Sequence, residues 1–382
     1  MMLKIAVITG TRAEYGIYKP LLHEIRKHPD MKLSLLVAGM HLLEDFGNTI
    51  QYIEKDGFSI DAEIKGLFQE DNAADMAHSV GRGIEQCANA FSKLTPDILL
   101  VLGDRPEMLA GAIAALYMNI LIGHIHGGDL SGSVDGIVRH AITKLAHIHF
   151  PATQKSAERI ISMGEDPERV FIVGALGLDS VLHTPLLDKT EITTRYHLDS
   201  SQPILLLIQH PVTTELGEAG TQIHQTLTVL AELHMQTVVV YPNADAGGRE
   251  MIKVINSFIS HPLISAYQSI PHEEYLSLLN VADVLIGNSS SGIIEAPAFG
   301  LPVVNIGTRQ QGRERAENVI DVGYSCVEIK SAICQALTQE FKKMARDCCN
   351  PYGDGIASER ICDILRTLPM GERLHEKRSM FQ

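Results

Sequence analysis

Short apolar runs recur along this chain, and most of them stop at glycine, serine or a charged residue. Ile5 to Ile8, Leu33 to Val37, Ile98 to Leu102, Leu121 to His126 and Val170 to Val173 read as strands. Between them lie helix-length segments. Ile17 to Ile25 repeats apolar residues at helical spacing, and Asp75 to Leu94 is long enough for a helix. Such alternation predicts an α/β fold, a parallel sheet with helices on both faces. From His183 to Pro203 the pattern gives way to a polar, turn-rich stretch that reads as a linker. A second alternating half follows, with strands at Ile204 to Ile208, Thr237 to Tyr241, Val284 to Ile286 and Leu301 to Ile306. Glu359 to Leu368 reads as a helix stopped by Pro369, and the basic tail beyond it as a solvated face. The expectation is two doubly wound, Rossmann-like domains, 1–183 and 184–358, with 359–382 joined to the first.

In open α/β sheets, ligands sit beyond the carboxyl ends of the strands. Polar residues collect there. The first half offers Gly10-Thr11-Arg12, Gly103-Asp104-Arg105 and His124-Ile125-His126-Gly127-Gly128-Asp129. Asp104 precedes Arg105 and Pro106, so it is either a helix N-cap or a site carboxylate. His124 and His126 alternate as if on one strand face, and His147 and His149 repeat the spacing. No cysteine or acidic ligand falls at a familiar zinc spacing, so acid–base roles are favoured over a metal. Asp135 and Arg139 stand four apart in a helical pattern, either as a surface pair or as site groups beside the glycine-rich rim.

In the second half the strand ends carry His210, Asn243, Ser289 and Ser290. His210 is a core histidine or a site residue, and its place before Pro211 favours the site. The stretch Gly287 to Arg315 is the most informative. An apolar run ends in Gly-Asn-Ser-Ser-Ser-Gly and leads into a helix-compatible IIEAPAF. Free amides and hydroxyls at such a turn suit a diphosphate, Glu295 suits ribose hydroxyls, and Arg309 returns a permanent cation to the same rim. An ordinary strand–turn–helix connection is the alternative.

A chain of 382 residues exceeds what one core serves, and 45% hydrophobic content supplies two. The net charge of −14 argues against a nucleic-acid or anionic-membrane surface, so any phosphate site is local. No apolar run reaches about 18 residues, and MMLKIAVITG passes straight into a strand pattern, which leads us to expect a cytoplasmic protein without a membrane partner. Six cysteines without a CxxC pair read as reduced, structural thiols.

Taken together, GTRAEYG, GMHLLEDFGNT, LGDRPE, HIHGGDLSGSVDGIVRHAITKLAH, QHPVTT, PNADAGGREM, GNSSSGIIEAPAFG and GTRQQGRERAENVI resemble the UDP-N-acetylglucosamine 2-epimerases. The match runs in chain order from residue 4 to about 320, and its SGxxD followed by RHAITKLAH points to the hydrolysing branch that feeds sialic-acid-type sugars. The resemblance implies a GT-B-like pair of domains with the ligand in the cleft, a UDP-sugar substrate, no external cofactor and a homodimer or homotetramer. It implies elimination of UDP to a 2-acetamidoglycal, followed by water addition. Asp104, His126, Asp129, Asp135, Arg139 and His210 are then the catalytic candidates. Arg12, His41, Asp179, Asn243, Asn288, Ser289, Ser290, Gly292, Glu295 and Arg309 are the substrate-binding candidates. Where relatives carry glutamates, this chain has His126 and Asp129, which leaves open the group that takes the C2 proton. UDP-N-acetylglucosamine is the first expectation for the substrate, and UDP-2,4-diacetamido-2,4,6-trideoxyglucose, on the legionaminic acid route, the alternative. A glycosyltransferase and a non-catalytic UDP-sugar sensor are the readings of other classes.

Overall fold

Each half of the chain builds one six-stranded parallel sheet. In the first, β1 (Leu3–Thr9), β2 (Met31–Ala38), β3 (Ala62–Ile64), β4 (Ile98–Leu102), β5 (Leu121–Ile125) and β6 (Ile148–Phe150) lie in the order β3-β2-β1-β4-β5-β6. In the second, β7 (Ile204–Ile208), β8 (Gln236–Val240), β9 (Ile264–Tyr267), β10 (Val284–Gly287), β11 (Val303–Ile306) and β12 (Val319–Val322) lie in the order β12-β11-β10-β7-β8-β9. The strand direction of growth reverses between β1 and β4 in one sheet and between β7 and β10 in the other. The crevice at such a switch point is where doubly wound sheets bind ligands. This computed structural model describes residues 2–68, 72–130, 134–212, 214–368, 374, 376 and 377.

The interior strands β4, β5 and β7 are buried at every position, which is why they read as unbroken apolar runs rather than alternating ones. Helix Arg12–Lys27 lays Tyr18, Leu21, Leu22 and Ile25 on the first sheet, each fully buried. Burial of one such side chain contributes about 1.5–3 kcal/mol. Pro20 sits inside this helix and cannot donate to the Gly16 carbonyl, which instead accepts from Ser180 Oγ at 2.9 Å.

The chain divides into unit one, Met1–Asp129, Val134–His183 and Tyr352–Gln382, and unit two, Leu130–Ser133 and Thr184–Pro351. The return to unit one thus comes at Tyr352 rather than at 359, because Tyr352 is buried and its carbonyl accepts from Ala175 N at 2.8 Å. The closing helix, Ala357–Thr367, packs Ala357, Ile361, Cys362 and Leu365 into the core of unit one. Pro369, expected to stop it, lies outside the described residues, as do Ser131 to Ser133, Thr213 and most of the basic tail. Within the described part of that tail Leu374 joins the core and Lys377 is bonded to three carbonyls, while Glu376 is exposed.

Three further expectations are corrected. Val170 to Val173 is no strand, making only an isolated bridge from Val170 to His149 before Gly174 turns the chain at φ 91°. The polar stretch after His183 contains a helix, Lys189–Arg195, started by a capping box in which Asp188 and Glu191 each bond the other's backbone N–H. The segment after the serines makes only a four-residue helix, Ser291–Ile294, before Pro297 turns it to a 3-10 turn. Among the described residues, no helix is long and apolar enough to cross a membrane. All six cysteines are free thiols, and burial pushes Cys87 and Cys362 up to about 12.

Candidate active site

In unit one the rim is assembled from the ends of β1, β2, β4 and β5. The first turn of helix Arg12–Lys27 has a capping box: Thr11 Oγ1 accepts from Glu14 N at 3.2 Å, and Glu14 Oε2 accepts from Thr11 N at 3.1 Å. Arg12 is therefore the first helical residue, and its guanidinium stacks on the Tyr52 ring at 3.7 Å. Glu14 Oε2 also accepts from Gly10 N at 2.9 Å, and burial pushes its carboxyl up to about 8, against the pull of Arg105.

Asp104 is not a helix cap. The cap position before helix Pro106–Tyr117 is Arg105, with no side-chain capping bond, and the Asp104 carboxylate pairs with the Arg139 guanidinium. Arg139, buried in helix Val134–Leu145, also donates to the Asp129 carbonyl at 3.1 Å. Asp135 lies in the first turn of the same helix. One side chain thus ties the end of β4 to the loop after β5.

That loop departs from the expected alternation. β5 ends at Ile125, and His126 takes φ 59°, the left-handed region that a residue with a Cβ adopts only at a cost. His124 and His126 therefore have unlike surroundings. His124 is a satisfied core histidine: Nε2–H donates to the Gly103 carbonyl at 2.8 Å, Nδ1 meets Thr143 Oγ1 at 3.1 Å, and burial lowers its pKa to about 3. His126 Nδ1 lies 3.8 Å from Asp129 Oδ2, while its buried Nε2 has no hydrogen-bond partner among the described residues. Asp129 Oδ1 accepts from Ser156 Oγ at 2.6 Å. Gly128, at φ 79°, has no room for a Cβ against the Ser156 carbonyl. His147 Nδ1 accepts from Ile122 N at 3.1 Å, and His149 Nε2 meets Glu165 at 3.2 Å. No group of three His, Cys, Asp or Glu able to hold a metal occurs among the described residues.

Two of the substrate-binding candidates, His41 and Asp179, are hydrogen-bonded within the fold. His41 is fully buried, its two ring nitrogens meeting Thr9 Oγ1 at 3.1 Å and Thr49 Oγ1 at 2.8 Å, and burial lowers its pKa to about 3. It fixes the ends of β1 and β2. Asp179 caps the closing helix, accepting from Ala357 N at 2.9 Å and Ser358 N at 2.6 Å. Both its oxygens accept at that joint.

The pattern of residue types did not single out Glu14 or Glu107. Glu107 is 2% exposed; its Oε2 accepts from Arg105 Nε at 3.3 Å, and its Oε1 has no hydrogen-bond partner among the described residues. Any Cβ on Gly10 or Gly39 would collide with that Oε1, so the two glycines exist to admit the carboxylate. Thr11-x-x-Glu14 was a readable capping signal, whereas nothing local marked Glu107.

In unit two the ends of β7, β8, β10 and β11 meet. Asn288 clamps the backbone of His210, accepting from its N–H at 2.7 Å and donating to its carbonyl at 2.9 Å. This joins β7 to β10 at the switch point, and it makes Asn288 a positioning group for His210. His210 Nδ1 accepts from Asn243 N at 3.1 Å, so in the neutral ring the proton sits on Nε2, a donor suited to an anion. Asn243 Nδ2 donates to Asp245 at 2.5 Å, and its buried Oδ1 has no partner among the described residues. Arg309 donates to the Asn288 carbonyl at 3.3 Å, joined there by Gln310 at 2.8 Å.

After β10, Ser289 Oγ accepts from Ser291 N at 3.4 Å. Gly292 is required for packing, since a Cβ there would meet Val303 at 2.9 Å. With so short a helix behind it, the serine turn offers hydroxyls and amides more than a summed helix dipole. Glu295 is 5% exposed and close enough to Tyr275 to help burial raise the phenol, whose hydroxyl meets Ser291 Oγ. This acidic group lies one turn beyond the serines.

The profile of the family described as UDP-N-acetylglucosamine 2-epimerase matches residues 23–366. The chain is 41% identical over 377 residues to the hydrolysing UDP-N,N'-diacetylbacillosamine 2-epimerase of Legionella pneumophila, covering 99% of each. It is 34% identical over 365 residues to the UDP-N-acetylglucosamine 2-epimerase of Neisseria meningitidis, covering 95% of each. Its fold is that of a UDP-GlcNAc 2-epimerase from Neisseria meningitidis solved with UDP-GlcNAc, at a TM-score of 0.80 and 20% identity, over 96% of this chain and 100% of that one. A profile match over most of its length and identity of this order over its whole length place the chain in the UDP-N-acetylglucosamine 2-epimerase family, as a hydrolysing UDP-sugar 2-epimerase.

Proposed function

We propose that this enzyme hydrolyses UDP-2,4-diacetamido-2,4,6-trideoxyglucose, also called UDP-N,N'-diacetylbacillosamine, with inversion at C2, releasing UDP and the free 2-epimeric sugar. Family membership disposes of the glycosyltransferase and sensor readings. Between the two sugars, the observation that carries the choice is 41% identity across 99% of each chain to an enzyme named for this sugar, against 34% to one named for UDP-N-acetylglucosamine.

A base removes the C2 proton while the C1–O bond to UDP breaks and its electron pair leaves with the diphosphate. The product is a 2-acetamidoglycal. Water then adds its hydroxyl to C1, and a proton returns to C2 on the other face. Asp104, His126 and Asp135 are the acid–base groups, with Arg139 orienting Asp104 and Asp129 facing the His126 ring. Imidazole is suited to that transfer near neutral pH. Arg12, His210, Asn243, Ser289, Ser290 and Arg309 hold the diphosphate, where cations and donors stabilise the departing charge. Glu295 holds the ribose.

Proton NMR in heavy water with each UDP-sugar tests the assignment. The expected result is free sugar carrying deuterium at C2 from the diacetamido substrate, at a much higher rate than from UDP-N-acetylglucosamine. The reverse preference refutes the substrate. In Asp104→Asn, turnover is expected to fall by about 10²–10⁴ with UDP affinity retained, and an unchanged rate refutes the role given to Asp104.

A further inference from the structure

We infer that Lys377 is a positioning residue for the reaction, holding the helix that presents Asp135 and Arg139. The inference rests on the proposed roles of those two residues. Lys377 follows the closing helix, far in sequence from the rim. Its ammonium donates to the carbonyls of Thr143, at 3.3 Å, Ala146, at 2.8 Å, and Lys144. These lie in and just after the last turn of helix Val134–Leu145, whose final carbonyls have no intrahelical partner and carry its negative dipole end.

The lysine is itself held in place. Its Nζ lies 2.9 Å from Glu165 Oε2, a buried carboxylate that Lys144 and His149 also contact. Arg169 donates to the Leu374 carbonyl at 3.0 Å and the Glu376 carbonyl at 2.8 Å, and the Leu374 side chain is in the core of unit one. The three N–H donors of this compact cation are shared among the three carbonyls and the Glu165 carboxylate.

The helix end so capped is coupled to the rim through hydrogen bonds. Thr143, whose carbonyl Lys377 holds, donates from Oγ1 to the Arg139 carbonyl at 3.0 Å and meets His124 Nδ1 at 3.1 Å. His124 in turn bonds the Gly103 carbonyl, next to Asp104. Arg139 pairs with Asp104 one turn away. Shifting this helix along its axis displaces the guanidinium from the carboxylate, and misplacement on the ångström scale is costly in turnover.

The test compares full-length Lys377→Met with Lys144→Met, which loses a Glu165 contact but leaves the three carbonyls capped. Lys377→Met is expected to lower kcat about tenfold, with KM and UDP affinity within twofold of wild type. Hydrogen exchange in the peptide covering 134–145 is expected to quicken in that variant alone. Lys377→Arg is expected to recover part of the loss. Turnover within twofold of wild type in Lys377→Met overturns the proposal, and so does an equal loss in Lys144→Met, which would trace the effect to Glu165. Should Lys377→Met not accumulate as folded protein, Arg169→Met frees the same segment, and full turnover there overturns the proposal. If wild-type enzyme turns over neither UDP-sugar, the functional reading has failed, and the exchange comparison still decides whether Lys377 caps the helix.

Discussion

Replacing Glu14 by Gln should abolish one source of pH-dependent stability. Glu14 is buried in the first turn of helix Arg12–Lys27, and one of its oxygens accepts from the amides of Gly10 and Thr11. Burial raises its pKa from 4.5 to about 8, opposed by Arg105 and reinforced by Glu107. Here the folded value lies above the unfolded one. The folded state therefore retains a proton that the unfolded state releases, and stability is lost as pH rises from about 4.5 to about 8. The slope in that window is about 1.4 kcal/mol per pH unit. Glutamine keeps the accepting oxygen and carries no charge at any pH. The stability of Glu14→Gln relative to wild type should therefore improve by roughly 2–3 kcal/mol between pH 6 and pH 9. Urea denaturation followed by circular dichroism at both pH values measures it. Parallel pH dependence in the two proteins refutes the reasoning, because it means that Glu14 ionises in the fold as it does in the unfolded chain.

His126 and Gly39 yield paired comparisons. Both His126→Ala and His126→Gly should lose turnover, but the glycine variant should unfold at about 1 kcal/mol higher stability, since only alanine keeps a Cβ at φ 59°. Equal stabilities contradict the strained backbone. Gly39→Ala should destabilise by more than about 2 kcal/mol, because φ is 55° and its Cβ would strike Glu107 Oε1. Gly57→Ala, at φ 77° with nothing within 4 Å, should cost only about 1 kcal/mol. Thermal unfolding of the two variants separates strain from collision.

The interior strands were legible in the sequence because a strand buried on both faces must be apolar at every position, as in Ile98–Leu102 and Ile204–Ile208. Edge strands carry no such signal. Ala62–Ile64 and Val319–Val322 are short and partly exposed, and they went unread. The strand-end positions of Asp104 and of His210 were also legible, since each parallel sheet gathers its own carboxyl ends along one edge. Their partners were not. Arg139 reaches Asp104 across 35 positions, Asn288 clamps His210 across 78, and Asp179 caps Ser358 across 179. A residue pattern reports on neighbours within a turn or a pleat, whereas these bonds depend on the path the chain takes between distant segments. Only the tertiary structure decides which carboxylate becomes a cap, which is pressed between two glycines, and which pairs with an arginine at the end of a strand.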